Sequence, residues 1–403
     1  TTAAPAETKA SEATEAPADT KKYEGVELTM WSMWTAGEAQ AQVIQAAADA
    51  FEADTGAHVN IEWKGRDVNT LLSAALESGE KLDIFEDDYN RIGNAYAPYT
   101  YDLTEMADAA GYADFSYACF NNQSVAWAGY LNSIVEQPQI GGVFYNKDVF
   151  DACNITKTPT TWAEFLTTCE TLEANGYEAL ALDGAYANFN FYYHLVRHLG
   201  EDGIKELGLN GGWAANEAAV AAAQETIDLV NAGFLADGAP DAYPASQTKV
   251  GLGTAAMVVC ANYVTSEVDA AVGESVNWGF FNYPEVEGNV DASAYAGANS
   301  LAISSNCENP QAAFDFIMTI VTGTCGQELV DNGGQIPADT RLKESVLAGS
   351  VETLKNTTTP MSWCGALNTL DGWSSIKSSM IELFEGKYAT GADYCAYLDT
   401  LCG

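Results

Sequence analysis

Apolar residues along this chain alternate between two spacings. Residues 26–30 (VELTM) are apolar and β-branched and predict a strand. Over 38–54, Val43, Ile44, Ala47, Ala48 and Phe51 fall on one helical face, and Gly56 follows where a helix end favours glycine. Residues 58–63 (HVNIEW) alternate as a second strand, 68–77 predict a helix and 82–85 a third strand. Strand, helix, strand, helix, strand predicts α/β architecture, a parallel sheet with helices on its faces.

The middle of the chain repeats the alternation. Strands are predicted at 143–145, 179–182, 256–259, 278–281 and 301–303, and helices at 162–175, stopped by Gly176, and 217–231, stopped by Gly233. Pro310 opens a helix whose apolar stripe is Phe314, Ile317 and Val321, and Ile376, Met380, Leu383 and Phe384 mark one near the C-terminus. Ligands of parallel α/β sheets sit beyond the carboxyl ends of the strands. That rule directs attention to 32–35, 65–67, 86–91, 183–191, 262–265 and 297–300. Residues 1–22 carry no aromatic and no large aliphatic side chain, and predict a disordered tether ahead of the first strand.

With 403 residues the chain is too long for one ordinary core and suits two lobes. A formal net charge of −39 excludes the basic face that nucleic-acid binding requires, and anionic lipid would repel it. No stretch approaches the ~18 apolar residues of a membrane-spanning helix, and no signal peptide is visible. Nine cysteines without CxxC spacing give neither a zinc signature nor a disulfide framework, so most read as packing thiols, with one or two disulfides left open.

Several motifs fail on context. Gly251-Leu-Gly253-Thr-Ala-Ala256 mimics a dinucleotide fingerprint but precedes a strand. His194 and His198 share a helix face, yet spacing places no third ligand, and the aromatic run FYYHLVRHL reads as packing; no metal and no cofactor is expected. The acids Asp83, Glu86, Asp87 and Asp88 lack the glycine and terminal glutamate of a calcium loop.

The segment GGVFYNKDVFDACNI followed by TPTTWAEFLTTCETLEANGYEALAL (142–182) resembles the extracellular solute-binding proteins of carbohydrate ABC importers, the group that includes maltose-binding protein. The opening LTMWSMWTAGEAQAQVIQAAADAFEADTG, LDIFEDDYNRIGNAY, TAAMVVCANYVT and GQIPA are similar to its other segments, in order, from about Glu24 to the end. The resemblance implies a two-lobed periplasmic-binding-protein-like fold (class II) with a hinge, three crossings and a central ligand cleft. The N-lobe would be 23–138 plus 297–322 and the C-lobe 140–295 plus 326–403. It implies a monomeric component that delivers an oligosaccharide to membrane permease subunits. The protein would be held at the extracellular face of a Gram-positive-type membrane by a lipid anchor absent from this chain.

Sugars present apolar C–H faces that stack on rings and hydroxyls that need placed donors and acceptors. Trp34, beyond the first strand, is expected in the cleft. Arg66, Asp87 and Asp183 lie past strand ends as candidate hydroxyl partners, with an ion pair as the alternative for neighbouring Arg91. Phe191 follows the strand 179–182. By resemblance, Tyr263 and Trp373 occupy stacking positions, Gln139 lies at the first crossing and Asn299 at the second. Trp162 and Tyr145 are expected to pack internally. Two other readings remain open: a glycan-active hydrolase or lyase, which needs two carboxyls about 5–9.5 Å apart across one cleft, and a binding protein of the same fold for a non-sugar solute. An adhesin or inert surface scaffold is a third.

Overall fold

The computed structural model describes residues 21–344, 347–357 and 360–402. Nearly all of the expected tether therefore lies outside the described residues. Among these, no helix is long and apolar enough to cross a membrane.

The described residues form eight strands: β1 Glu27–Ser32, β2 His58–Trp63, β3 Ile84–Asp88, β4 Ile134–Asn146, β5 Glu178–Ala181, β6 Ala255–Ala261, β7 Trp278–Phe281 and β8 Ala296–Ile303. They are connected in the order β2-β1-β3-β8-β4-β6-β5, with β7 also on β4. The expected parallel pairing holds for β1 with β2 and β3, and for β5 with β6. The strands shared between the lobes correct it: β3–β8, β4–β8, β4–β6 and β4–β7 are all antiparallel. Local periodicity reports which residues alternate, not the direction from which the chain re-enters the sheet.

β4 is the long crossing strand. Its first half, from Ile134 to Ile140, pairs with β8, and from Gly141 onward it pairs with β6. The change of partner occurs at two glycines that approach bulky neighbours. A Cβ on Gly141 would lie 2.8 Å from the Phe189 ring, and one on Gly142 would lie 2.8 Å from the Phe281 carbonyl oxygen.

The helices form for the expected local reasons. Ala39–Thr55 buries Val43, Ile44, Ala47, Ala48 and Phe51 and ends at Gly56, whose φ of 82° suits a residue without Cβ. Trp162–Ala174 starts on a capping box between Thr161 and Glu164. Pro310 opens Pro310–Val321. Trp162 is buried and stacks on Phe165, and half-buried Tyr145 packs on Phe150.

One core lies behind β1 and β3 and includes Met30, Ile44, Phe51, Ile84 and Phe316. A second, including Phe165, Leu180, Tyr193, Met257 and Met380, fills the other lobe. Residues beyond 322 correct the expected lobe boundary. The helix Gly323–Gly333 packs against Ala39–Thr55, Tyr117 Oη donates to Pro337 O at 2.9 Å, and the Arg341 guanidinium lies 3.7 Å from the Phe115 ring. These contacts put 323–341 on the first lobe, and Leu354, whose carbonyl oxygen accepts from Cys119 Sγ at 3.9 Å, follows them there. The third crossing falls near Met361, which bridges to Tyr295. The apolar side of this segment, with Leu329 and Val330 both buried, completes the first core rather than the second. All nine cysteines are free thiols, seven of them buried, consistent with packing.

Candidate functional site

A largely polar cavity of about 360 Å³ opens between the lobes. Its first wall is built after β1 and β2. Arg66, in the turn past β2, donates from Nη1 to Met33 O at 2.6 Å and from Nη2 to Glu38 Oε1 at 2.8 Å. Its guanidinium lies 4.8 Å over the Trp34 ring. Burial raises the Glu38 carboxyl, but hydrogen bonds from Thr35 and Arg66 outweigh it and hold the group below the ordinary carboxylate range.

The crossing strands form the floor. Asn299 Nδ2 donates to Gln137 Oε1 at 2.6 Å, and Gln139 lies opposite Gly297. The second wall follows β6. Asn262 Oδ1 accepts from Ile140 N at 2.9 Å, and Tyr263 opens the helix Tyr263–Val272. Ser266 and Glu267, one turn on, face the same cavity. Glu267 Oε2 accepts from Gln247 Nε2 at 3.1 Å. Burial drives the Tyr263 phenol far above its ordinary value, so it is a neutral donor and acceptor.

Five of the nine expected residues thus meet around one space: Trp34, Arg66, Gln139, Tyr263 and Asn299. Trp34 needs a correction of role. It is 4% exposed, belongs to the first core, and is overlaid by Arg66, so it supports the wall more than it offers a free ring.

The other four are elsewhere. Asp87 is 1% exposed and held by Arg91, whose Nε lies 2.9 Å and Nη2 2.5 Å from its carboxylate oxygens. The ion pair expected for Arg91 consumes the carboxylate expected for sugar. Asp183 accepts from Ser246 N at 2.8 Å and Gln247 N at 3.2 Å, which caps the helix Ala245–Gly251. Phe191 lies inside the helix Ala187–Asn210, edge-on to Tyr394 in the second core. Trp373 opens the helix Trp373–Phe384 as expected but packs on the same core and does not line the cavity. Strand-end position selected Asp87, Asp183 and Phe191, and the family resemblance selected Trp373; caps, ion pairs and core faces occupy such positions too.

Asp183→Ala is expected to cost about 1–2 kcal/mol, the usual loss for an N-terminal cap. Ligand affinity of the folded chain should be unchanged. Urea denaturation beside a binding titration checks both, and a selective loss of binding would return Asp183 to the site.

Tyr186, Tyr243 and Trp363 were not anticipated. Tyr186 lies 6.5 Å from Tyr263 between ring centroids, 6.0 Å from Tyr243 and 6.0 Å from Trp363, which stacks on Phe189 at 4.2 Å. These rings form one cluster that adjoins Tyr263. The only sequence signal was that Tyr186 falls inside the strand-end loop 183–191. His194 and His198 meet Glu225, from the neighbouring helix Glu217–Asn231, a carboxylate that spacing could not place beside them.

Residues 35–321 match the model of the family described as bacterial extracellular solute-binding protein. No curated protein sequence matches the chain. Among solved structures, the chain is similar in fold to a chitin oligosaccharide binding protein, at 20% identity over 93% of this chain and 97% of that one, with TM-score 0.65. It is similar to a cyclo/maltodextrin-binding protein complexed with maltotetraose, at 15% identity over 93% and 96%, with TM-score 0.70. The GacH receptor of Streptomyces glaucescens, solved unliganded and with acarbose, matches at 18% identity over 93% and 96%, with TM-score 0.64. A family pattern spanning most of the chain, on a two-lobed α/β fold with a polar cavity between the lobes, shows that this chain belongs to the bacterial extracellular solute-binding proteins.

Proposed function

We propose that the chain captures a carbohydrate, of oligosaccharide size, between its lobes and delivers it to the permease of an ABC importer. The observation that carries this reading is the composition of the cavity: Arg66, Gln137, Gln139, Asn262, Asn299 and Glu267 surround it, with Tyr263 as the ring. Dense neutral donors and acceptors beside an aromatic face suit a polyol better than an anion or an apolar molecule. The Tyr186, Tyr243 and Trp363 rings that adjoin Tyr263 supply further aromatic surface for a ligand longer than one sugar unit to use. The solved relatives named for chitin oligosaccharide and maltotetraose support the same class.

The chain works by binding rather than turnover. Glu38 and Glu267, the carboxylates of the two walls, are engaged by Arg66 and Gln247 respectively. As part of this reading the protein acts as a monomer, carried by a lipid anchor at the outer face of the cell membrane, in the Gram-positive manner.

A thermal-shift and calorimetric screen against chito-, malto- and xylo-oligosaccharides tests it. One related series should raise the melting temperature, because only ligands of the native state stabilise it. Tyr263→Ala should weaken that ligand about tenfold, the equivalent of ~1.4 kcal/mol of stacking. No shift with any glycan, or release of new reducing ends, sinks the reading.

A further inference from the structure

We propose that His194, His198 and Glu225 form a site for one divalent transition-metal ion of the zinc class, within the second lobe and apart from the cavity. His194 and His198 are four residues apart on Ala187–Asn210, before its break at Gly200, where φ is 65° and ψ 168°. Both rings therefore leave the same helix face. The helix Glu217–Asn231 packs alongside and presents Glu225. Both Nε2 atoms face one carboxylate oxygen: Glu225 Oε2 lies 2.9 Å from His194 and 3.2 Å from His198. The three donor atoms all lie within 4.8 Å of one another. A tetrahedral zinc ion with bonds of about 2.0–2.2 Å spaces its ligand atoms roughly 3.3 Å apart. The two N···O separations are already close to that value.

The surroundings suit an imidazole that ligates through Nε2. His194 Nδ1 lies 3.3 Å from Tyr283 Oη. With metal on Nε2 the ring proton sits on Nδ1 and is donated to that oxygen, which fixes the tautomer. The Trp162 ring is 4.4 Å from His194, and Tyr193 stacks on Tyr283 at 4.8 Å, so neither ring can swing away. Access remains from solvent. The Glu225 side chain is 33% exposed and that of His198 8%, whereas His194 is 1% exposed. Water can reach the outer side and fill the fourth position. At a net charge of −39 the surface concentrates cations of every kind. Two imidazole nitrogens distinguish this site, since they favour first-row transition ions over Mg²⁺ and Ca²⁺. Bound metal would clasp the two helices together. The site shares no residue with the cavity, so its test is independent of the carbohydrate reading.

The full chain, stripped with chelator and dialysed, is titrated with Zn²⁺ by calorimetry in excess Mg²⁺, which occupies the surface acids. One equivalent should bind in the parent, and His198→Gln and Glu225→Gln should each weaken it at least roughly tenfold. Co²⁺ in place of Zn²⁺ should give the visible absorption of a four-coordinate ion. The near-ultraviolet thiolate-to-metal band should be absent, which separates this site from the cysteines. Unchanged affinity in both folded variants, a six-coordinate Co²⁺ spectrum, or a thiolate band overturns the proposal. If neither variant folds, the Co²⁺ spectrum of the parent chain decides alone.

Discussion

Replacing Arg197 by leucine is expected to destabilise the chain by about 4 kcal/mol or more, since each buried acceptor left without a donor costs about 1–3 kcal/mol. Arg197 is fully buried. Its Nη1 donates to Asp291 O at 2.8 Å and Ser293 O at 2.9 Å, its Nη2 to Tyr283 O at 3.0 Å, and its Nε to Pro284 O at 3.3 Å. The guanidinium also lies 5.1 Å from the Tyr193 ring centroid and 5.8 Å from that of Tyr283. One planar group thus gathers both ends of the loop between β7 and β8. Leucine fills much of the space but leaves the carbonyls without these donors. Lysine keeps the charge on one nitrogen and cannot reproduce the fork, so Arg197→Lys should fall between the two. Because β8 carries Asn299 into the cavity floor, the loss should also loosen the site. Urea denaturation checks the stability, with a fall in melting temperature of roughly 10 °C for Arg197→Leu. A loss within 1 kcal/mol, or lysine equal to arginine, defeats the claim.

The second large effect is a decline in stability as pH rises. Glu86, on β3, is wholly buried; Oε2 accepts from Ser32 Oγ at 2.6 Å and Met33 N at 3.3 Å. Burial lifts its carboxyl from the ordinary 4.5 to about 7, against the pull of the Ser32 and Met33 hydrogen bonds and the Arg66 charge. Glu136, on the crossing strand β4, is pushed well above the ordinary range by burial and then by the charge of Glu86. Its Oε1 accepts from Gln335 Nε2 at 3.2 Å, and its Oε2 has no partner.

The sign follows from proton counts. Between about 4.5 and about 7 the folded chain keeps the Glu86 proton and the unfolded chain has released it. The unfolded state then binds fewer protons, so stability falls as pH rises. That contribution is complete below about 4.5 and lost once the folded value is passed. Glu136→Gln removes the second acid while keeping an acceptor for Gln335. The variant should be more stable than the parent at about pH 8, with a shallower decline between about pH 5 and that point. Urea midpoints at the two pH values check it. Parallel profiles for parent and variant would show that the slope comes from surface repulsion among the other acids instead.

These two expectations rest on partners that are distant in the chain, and the same distance limited what could be read beforehand. Trp34 and Arg66 were identifiable because each follows a strand whose period is local, whereas Gln139, Tyr263 and Asn299 came from the family resemblance. Asp87, Asp183 and Phe191 passed the strand-end filter, and Trp373 the resemblance, for other reasons: an ion pair, a helix cap and two core faces. Nothing in residues 183–191 says that Tyr186, rather than its neighbours, meets Tyr263.

By itself the sequence determined the eight strands, the longer helices with several of their ends, and the family, while it missed short helices such as Ala118–Ala128 and Tyr263–Val272 and the first half of β4. Side-chain period, a glycine at a helix stop and a proline at a helix start act over a few residues, and the pattern from 35 to 321 is long enough to be specific. The sense of the shared strands, the lobe that takes 323–341, the five residues that meet in one cavity and the arrival of Glu225 beside two histidines were decided only in three dimensions. Each depends on burying an apolar face or satisfying a polar group against a segment tens to hundreds of residues away, and no local period encodes that choice.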